Sequence, residues 1–162
     1  MRKAACLISL AWIVGGCGAP SSPSVDAPND EARYRPGEYY VDQIVDGDTV
    51  WLRKGDERIK VRLLRIDAPE SNEFGYREAT EELQRQLGDE SAVSLEFENE
   101  REDEHGRTLA YIFVEGKNVN LAMVQSGWSP FYERYGRGKY ASEFQSAEQA
   151  AKRERLGLWS NR

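Results

Sequence analysis

Between Val45 and Glu70 the chain reads VDGDTVWLRKGDERIKVRLLRIDAPE, and the residues able to do chemistry sit at its turns and strand ends. Asp46 and Asp48 flank Gly47, Asp67 and Glu70 bracket Ala68-Pro69, and Arg62 stands among Val61, Leu63 and Leu64. A guanidinium in an apolar run needs a partner, and carboxylates at both ends of that run make a centre for a hard cation and an anion. Each residue alone has a plainer reading. Asp46 and Asp48 suit a turn, Arg62 suits a sheet ion pair, and Asp67 and Glu70 suit a loop around a proline. Only Asp46 is better left as a turn residue; the others gain weight from one another.

Composition narrows the chemistry. The cysteines are Cys6 and Cys17, and the one histidine is His105, so a zinc site of His and Cys is nearly ruled out. A metal would be held by carboxylate and carbonyl oxygens, which favours Ca²⁺ or Mg²⁺. With 22 basic and 28 acidic residues the formal charge is −6, which argues against a simple high-affinity DNA-binding module. It leaves room for an enzyme with a locally basic cleft. Hydrophobic content of 40% over 162 residues fits one folded domain with extensions.

The elements that must position these groups begin after an export segment. Residues 1–17 read as a signal peptide: Arg2 and Lys3, then an apolar run from Ala4 to Val14 too short for a stable span. Val14-Gly15-Gly16-Cys17 resembles a lipobox, with Cys17 as the lipidated residue; the alternative is an ordinary cleavage site. Residues 18–38, rich in Pro, Ser, Ala and Asp, form the expected flexible tether, and residues 39–162 the domain.

Within the domain, Tyr39 to Val45, Thr49 to Arg53 and Arg58 to Ile66 read as a three-stranded meander. Ala92 to Glu98 and Thr108 to Val114 supply two more strands. Helices are expected over Glu78 to Leu87, Val119 to Ser126 and Lys139 to Arg155, the second packing Leu121, Ala122 and Val124. The fold class is β-rich α+β: a five-stranded, partly open OB-fold-like barrel with about three packed helices. The run Glu96, Glu98, Glu100, Glu102, Asp103, Glu104 reads as a solvated edge and loop, and Gly127 to Gly138 as an aromatic-rich loop.

Three motifs now stand in order: Asp46-Gly47-Asp48-Thr49, Val61 to Glu70, and His105-Gly106-Arg107-Thr108-Leu109-Ala110-Tyr111, with Leu156-Gly157-Leu158-Trp159 at the close. Together they resemble the thermonuclease (staphylococcal-nuclease-like) family over about residues 39–160. The resemblance implies a Ca²⁺-dependent phosphodiesterase acting on DNA and RNA, cutting between phosphorus and the 5′ oxygen to leave 3′-phosphate ends. It implies Asp48, Asp67 and the Ala68 backbone carbonyl as metal ligands, Glu70 acting on the attacking water, and Arg62 and Arg107 clamping the phosphate. Ala68 stands where the family often has Thr, and a carbonyl ligand survives that change. His105 stands where the family's enzymes often carry Tyr, and it can still donate to a phosphate. Tyr132 and Tyr135 are the candidates to flank the nucleotide, Tyr135 the better placed.

A monomer is expected, with nucleic acid as partner and the membrane reached through Cys17. Two rivals remain open: a non-catalytic OB-type module binding nucleic acid or protein at the cell envelope, and an anchored interaction module using the acidic surface.

Overall fold

In the computed structural model, residues 38–88 and 91–160 are described. The export segment, the Cys17 lipidation site and the tether, apart from Glu38, lie outside the described residues.

Six strands and three helices follow in the order β1 (Tyr39–Ile44), β2 (Thr49–Lys54), β3 (Glu57–Leu63), α1 (Tyr76–Leu87), β4 (Ala92–Glu96), β5 (Thr108–Val114), β6 (Lys117–Asn118), α2 (Val119–Gln125) and α3 (Ala141–Glu154). A 3₁₀ turn, Gly157–Trp159, follows α3. The first three strands form the expected antiparallel meander, and β4 joins β1 on its far side. Closure comes from a parallel pairing of β3 with β5: Val61, Arg62 and Leu63 lie opposite Thr108, Leu109 and Ala110. Five strands thus make a closed mixed barrel rather than a partly open one, and the two-residue β6 only extends β5.

The pleat divides β2 and β3 cleanly. Val50, Leu52, Val61 and Leu63 are buried inside, while Trp51, Arg53, Lys60 and Arg62 remain partly exposed outside. The expected stripes of α1 (Ala79, Leu83, Leu87) and α3 (Phe144, Ala147, Ala151) are buried. The stripe of α2 is only partly the expected one. Val124 is buried and Leu121 packs against the core as expected, but Val119, Asn120 and Met123 face the core as well, and Ala122 is only partly buried.

Asn120 is wholly buried and explains this rotation. Its amide oxygen accepts from Ile112 N–H at 2.9 Å, and its amide nitrogen donates to Leu64 and Ala110 carbonyls at 2.9 and 3.2 Å. Those groups lie where β3 ends beside β5, so one side chain ties the backbone of that junction together, the Ala110 carbonyl also accepting from Leu64 N–H at 2.9 Å.

β3 ends at Leu63, three residues before the expected Ile66. Arg65 takes a φ of 65°, and Ile66 pairs instead with Phe131 in an isolated antiparallel bridge. The left-handed backbone costs a non-glycine residue about 1–2 kcal/mol, and it turns the chain out of the barrel into the Asp67 corner.

Candidate active site

Two backbone features bring the corner together. Leu63 N–H donates to the Asp48 carbonyl at 2.8 Å, extending the β2–β3 pairing to the turn before β2. Gly47 presses against that corner from behind. A Cβ there would lie 2.7 Å from the Ala68 Cβ and 2.8 Å from the Ala79 Cβ, so only glycine lets the turn approach both Ala68 and α1. Asp46 behaves as a turn residue, its carboxylate accepting from Asp48 N–H at 3.0 Å.

Asp48 is buried and held on both oxygens. Oδ1 accepts from the Thr49 hydroxyl at 3.0 Å, and Oδ2 accepts from Ala68 N–H at 2.8 Å. Arg62 Nη2 lies 3.1 Å from Asp48 Oδ2 and 3.1 Å from Asp67 Oδ1. Its other nitrogen, Nη1, donates to the Leu63 and Ile66 carbonyls, both at 2.9 Å. The guanidinium is thereby oriented by backbone on one side and shared by two carboxylates on the other.

The two carboxylates differ in exposure: the Asp48 side chain is 8% exposed and the Asp67 side chain 54%. Burial pushes the Asp48 carboxyl up to about 7, with Arg62 opposing and Asp46 adding to the rise. A second positive charge beside Asp48 would relieve that penalty. Among the described residues no group of three or more His, Cys, Asp or Glu side chains could hold a metal. The donor set here is two carboxylates, with backbone carbonyls and water to complete a shell. That set suits a hard cation, and Arg62 Nη2 already stands in for one between Asp48 and Asp67.

Glu70 is exposed just beyond Pro69, its N–H donating to the Glu73 carboxylate at 2.9 Å. An open cleft of about 600 Å³ begins at this corner, lined by Asp67, Ala68, Pro69, Glu73, Phe74, Pro130 and Leu158.

Arg107 comes from the turn before β5. The β3–β5 register pairs Leu109 with Arg62, so Arg107 sits two residues upstream on the same outward face. Asp103 organises this turn. Its Oδ1 accepts from His105 and Arg107 N–H groups at 3.0 and 2.9 Å, and its Oδ2 accepts from Arg107 Nε at 2.7 Å. The Arg107 Nη groups are left for an anion. His105 is exposed, with Nε2 3.8 Å from Glu104.

The aromatic loop divides by role. Phe131 stacks on Phe144 at 5.3 Å between ring centres, and Trp128 packs against the core. Tyr132 is half-buried and Tyr135 is 72% exposed, their ring centres 5.9 Å apart. The loop is tied to the corner by Tyr132 N–H donating to the Arg65 carbonyl at 2.9 Å, and by the buried Ser129 hydroxyl accepting from Asp67 N–H at 2.9 Å. Arg65 Nη1 donates to the carbonyls of Tyr135 and Gly136 at 2.8 and 2.7 Å, while its Nη2 pairs with Glu98. At the loop's start Gly127 and Gly157 meet backbone to backbone, with Leu158 N–H donating to the Gly127 carbonyl at 2.9 Å.

The expectation of a freely solvated acidic run is therefore half right. Glu100, Glu102 and Glu104 are exposed. Glu96 instead binds Lys139 and Tyr140, Glu98 binds Arg65 and Tyr111, and Asp103 binds Arg107. The third helix begins at Ala141, two residues after the expected Lys139. Sequence reasoning missed Asp103, Ser129, Thr49 and Arg65 as supports. Asp103, four residues before Arg107 in a charged turn, carried a readable signal; Ser129 carried none.

The chain is a closed OB-type barrel with a carboxylate–arginine centre at the β3 exit and a second arginine in the turn before the neighbouring strand. The match of residues 60–161 to the staphylococcal nuclease homologue family places the chain in it: the chain belongs to that family. It is similar to the SPbeta prophage-derived endonuclease YokF of Bacillus subtilis (strain 168), with 34% identity over 127 residues, 74% of this chain and 43% of that protein. Endonuclease YncB of the same strain is 32% identical over 127 residues, 74% of this chain and 60% of that protein. A micrococcal nuclease of Shigella flexneri is 36% identical over 130 residues, 74% of this chain and 71% of that protein. The match thus covers only about half the length of the two Bacillus relatives.

Proposed function

We propose that the chain is a phosphodiesterase that hydrolyses DNA and RNA with Ca²⁺ held at Asp48, Asp67 and the Ala68 carbonyl. The observation that carries this reading is the Arg62 Nη2 atom 3.1 Å from a carboxylate oxygen of both Asp48 and Asp67. Two carboxylates arranged to share one positive charge, beside a guanidinium fixed by backbone carbonyls, fit a centre that gathers a cation and a phosphate. Bound Ca²⁺ supplies the charge that draws a phosphate oxygen and eases deprotonation of water.

The protein's own groups do the rest. Arg62 on β3 and Arg107 in the turn leading into the paired β5 take the phosphate oxygens and neutralise the charge that grows during attack. Glu70, exposed beside the corner, accepts a proton from the water. Water adds to phosphorus, the bond to the 5′ oxygen breaks, the departing oxygen takes a proton from solvent, and the products are a 3′-phosphate end and a 5′-hydroxyl end. Tyr132 and Tyr135 flank the nucleotide, and His105 reaches the phosphate from the Arg107 turn. Residues 1–17 direct export and Cys17 carries the lipid anchor, so the enzyme, a monomer, acts at the cell envelope.

Digestion of single- and double-stranded DNA by the full chain, with Ca²⁺ and with chelator, tests the reading. Calcium-dependent cleavage leaving 3′-phosphate ends is expected. No cleavage with any divalent cation would sink it in favour of a non-catalytic OB module. Retention in the soluble fraction by Cys17→Ala, against membrane recovery of the wild type, tests the anchor.

A further inference from the structure

The outward face of the β2–β3 hairpin carries cations that the reaction does not use. Cross-strand pairing sets Trp51 beside Lys60 and Arg53 beside Arg58 on the outside of the barrel, with Arg62 beside the buried Thr49 at the end of the row. Arg58 lies over the Trp51 ring at 4.2 Å from its centre, and Lys60 Nζ approaches the same ring at 5.8 Å. Asp42 and Gln43 of β1 fix Arg58 from the side, through bonds of 2.6 and 3.2 Å. Lys60 makes no ion pair among the described residues. In a chain of formal charge −6, gathering Arg53, Arg58, Lys60 and Arg62 on one face departs from the average.

The row has a repeat. Arg62, Lys60 and Arg58 are alternate residues of one strand, spaced roughly 6.5–7 Å apart. That step is close to the one between successive phosphates of an extended single strand. The row also starts at Arg62, the residue placed on the scissile phosphate.

The geometry points to a binding track for single-stranded nucleic acid along the outward face of β3. Arg62 takes the scissile phosphate, Lys60 and Arg58 take the next two, and Trp51 with the Arg58 plane gives a base a surface to stack on. This row is one strand wide, so it fits the backbone of one extended strand. The inference rests on the nuclease reading for the placement at Arg62, and adds to it a direction and a footprint.

The test compares full-length wild type, Lys60→Ala, Lys60→Arg and Trp51→Leu on a single-stranded oligonucleotide and on a dinucleotide, across a salt series with Ca²⁺ present. Lys60→Ala is expected to raise KM several-fold on the oligonucleotide with kcat unchanged, and to leave the dinucleotide KM alone. The dependence of log KM on log salt should flatten by about 0.7 for the lost phosphate contact. Lys60→Arg should restore both values, and Trp51→Leu should raise oligonucleotide KM without changing the salt slope. Equal KM shifts on both substrates, or an unchanged slope in Lys60→Ala, would overturn the track. Polarisation of a labelled oligonucleotide in chelator keeps the two readings apart: an inactive protein whose salt-dependent binding still falls in Lys60→Ala retains the track and loses the enzyme. Should Lys60→Ala weaken binding to anionic phospholipid vesicles while oligonucleotide binding holds, the face belongs to a membrane and the proposal fails.

Discussion

Arg62 and Arg65 leave the same strand end, yet they join different parts of the chain. Arg62 binds Asp48, Leu63, Ile66 and Asp67, all within the Val45 to Glu70 stretch. Arg65 reaches Glu98, Tyr135 and Gly136, 33 to 71 residues away. The first centre is framed by barrel backbone and a wholly buried Asn120. The second is a set of side chains clasping a surface loop. The comparison separates what assembles the chemical corner from what holds the aromatic wall beside it. Damage to the first should fall on turnover, and damage to the second on substrate capture.

The largest effect should follow loss of Arg62. Arg62→Ala removes the proposed phosphate clamp and leaves Asp48 and Asp67 unbridged, so kcat for DNA cleavage should fall about 10²–10³-fold. Circular dichroism should show an unchanged barrel, because Val61 and Leu63 carry the core contacts of that strand. A kcat loss under 10-fold on the order of a routine surface change would break the distinction drawn between the two arginines.

Asp103→Asn comes next. The amide keeps the backbone bonds to the turn through its oxygen and loses the charged grip on Arg107 Nε, now 2.7 Å. A loosened guanidinium should lower kcat/KM about 10–10²-fold, since misplacement of a positioning group is costly even without its removal. Double-mutant kinetics with Arg107→Ala give the check: Asp103→Asn should add little once Arg107 is gone.

A smaller effect is expected from Arg65→Met. Methionine keeps the same left-handed backbone cost and removes the bonds to Glu98, Tyr135 and Gly136. KM should rise a few-fold with kcat nearly intact, and limited proteolysis should cut sooner after Arg134 or Arg137 in the released loop. A kcat loss as deep as that of Arg62→Ala would merge the two regions into one cooperative unit.

The same contrast explains what the sequence disclosed. Strands β1 to β3 announce themselves through alternation and turns, and the corner residues lie close together in the chain, so the centre and the barrel class were legible. Closure by β3 and β5 was not, because a parallel pairing across some 45 residues leaves no local pattern. The rotated face of α2 was hidden for a different reason. Asn120 looks like a polar surface residue until the Leu64 carbonyl and the Ile112 N–H that it binds at the strand junction are known. The loop from Gly127 to Gly138 showed its aromatics but not their division, since Phe131 is claimed by Phe144 on α3 while the Tyr135 ring meets only its loop neighbours Tyr132 and Arg134.

The finest test uses the opposite titration of the two regions. Burial raises Asp48 to about 7, so in chelator its contribution favours the folded state as pH falls. Glu98 moves the other way. Burial alone would raise it, but hydrogen bonds from Arg65, Tyr111 and Lys139 N–H hold it below its ordinary 4.5. A carboxyl lowered on folding gives stability that is complete above 4.5 and is lost as pH falls through the depressed folded value. Glu98→Gln should therefore shrink its stability deficit against wild type as urea midpoints are measured from pH 6 down to about 3, while the Asp48 contribution cancels in the difference. A deficit that stays constant over that range would mean that Glu98 holds the loop by shape and hydrogen bonding alone, and that the clasp on Arg65 owes nothing to its charge.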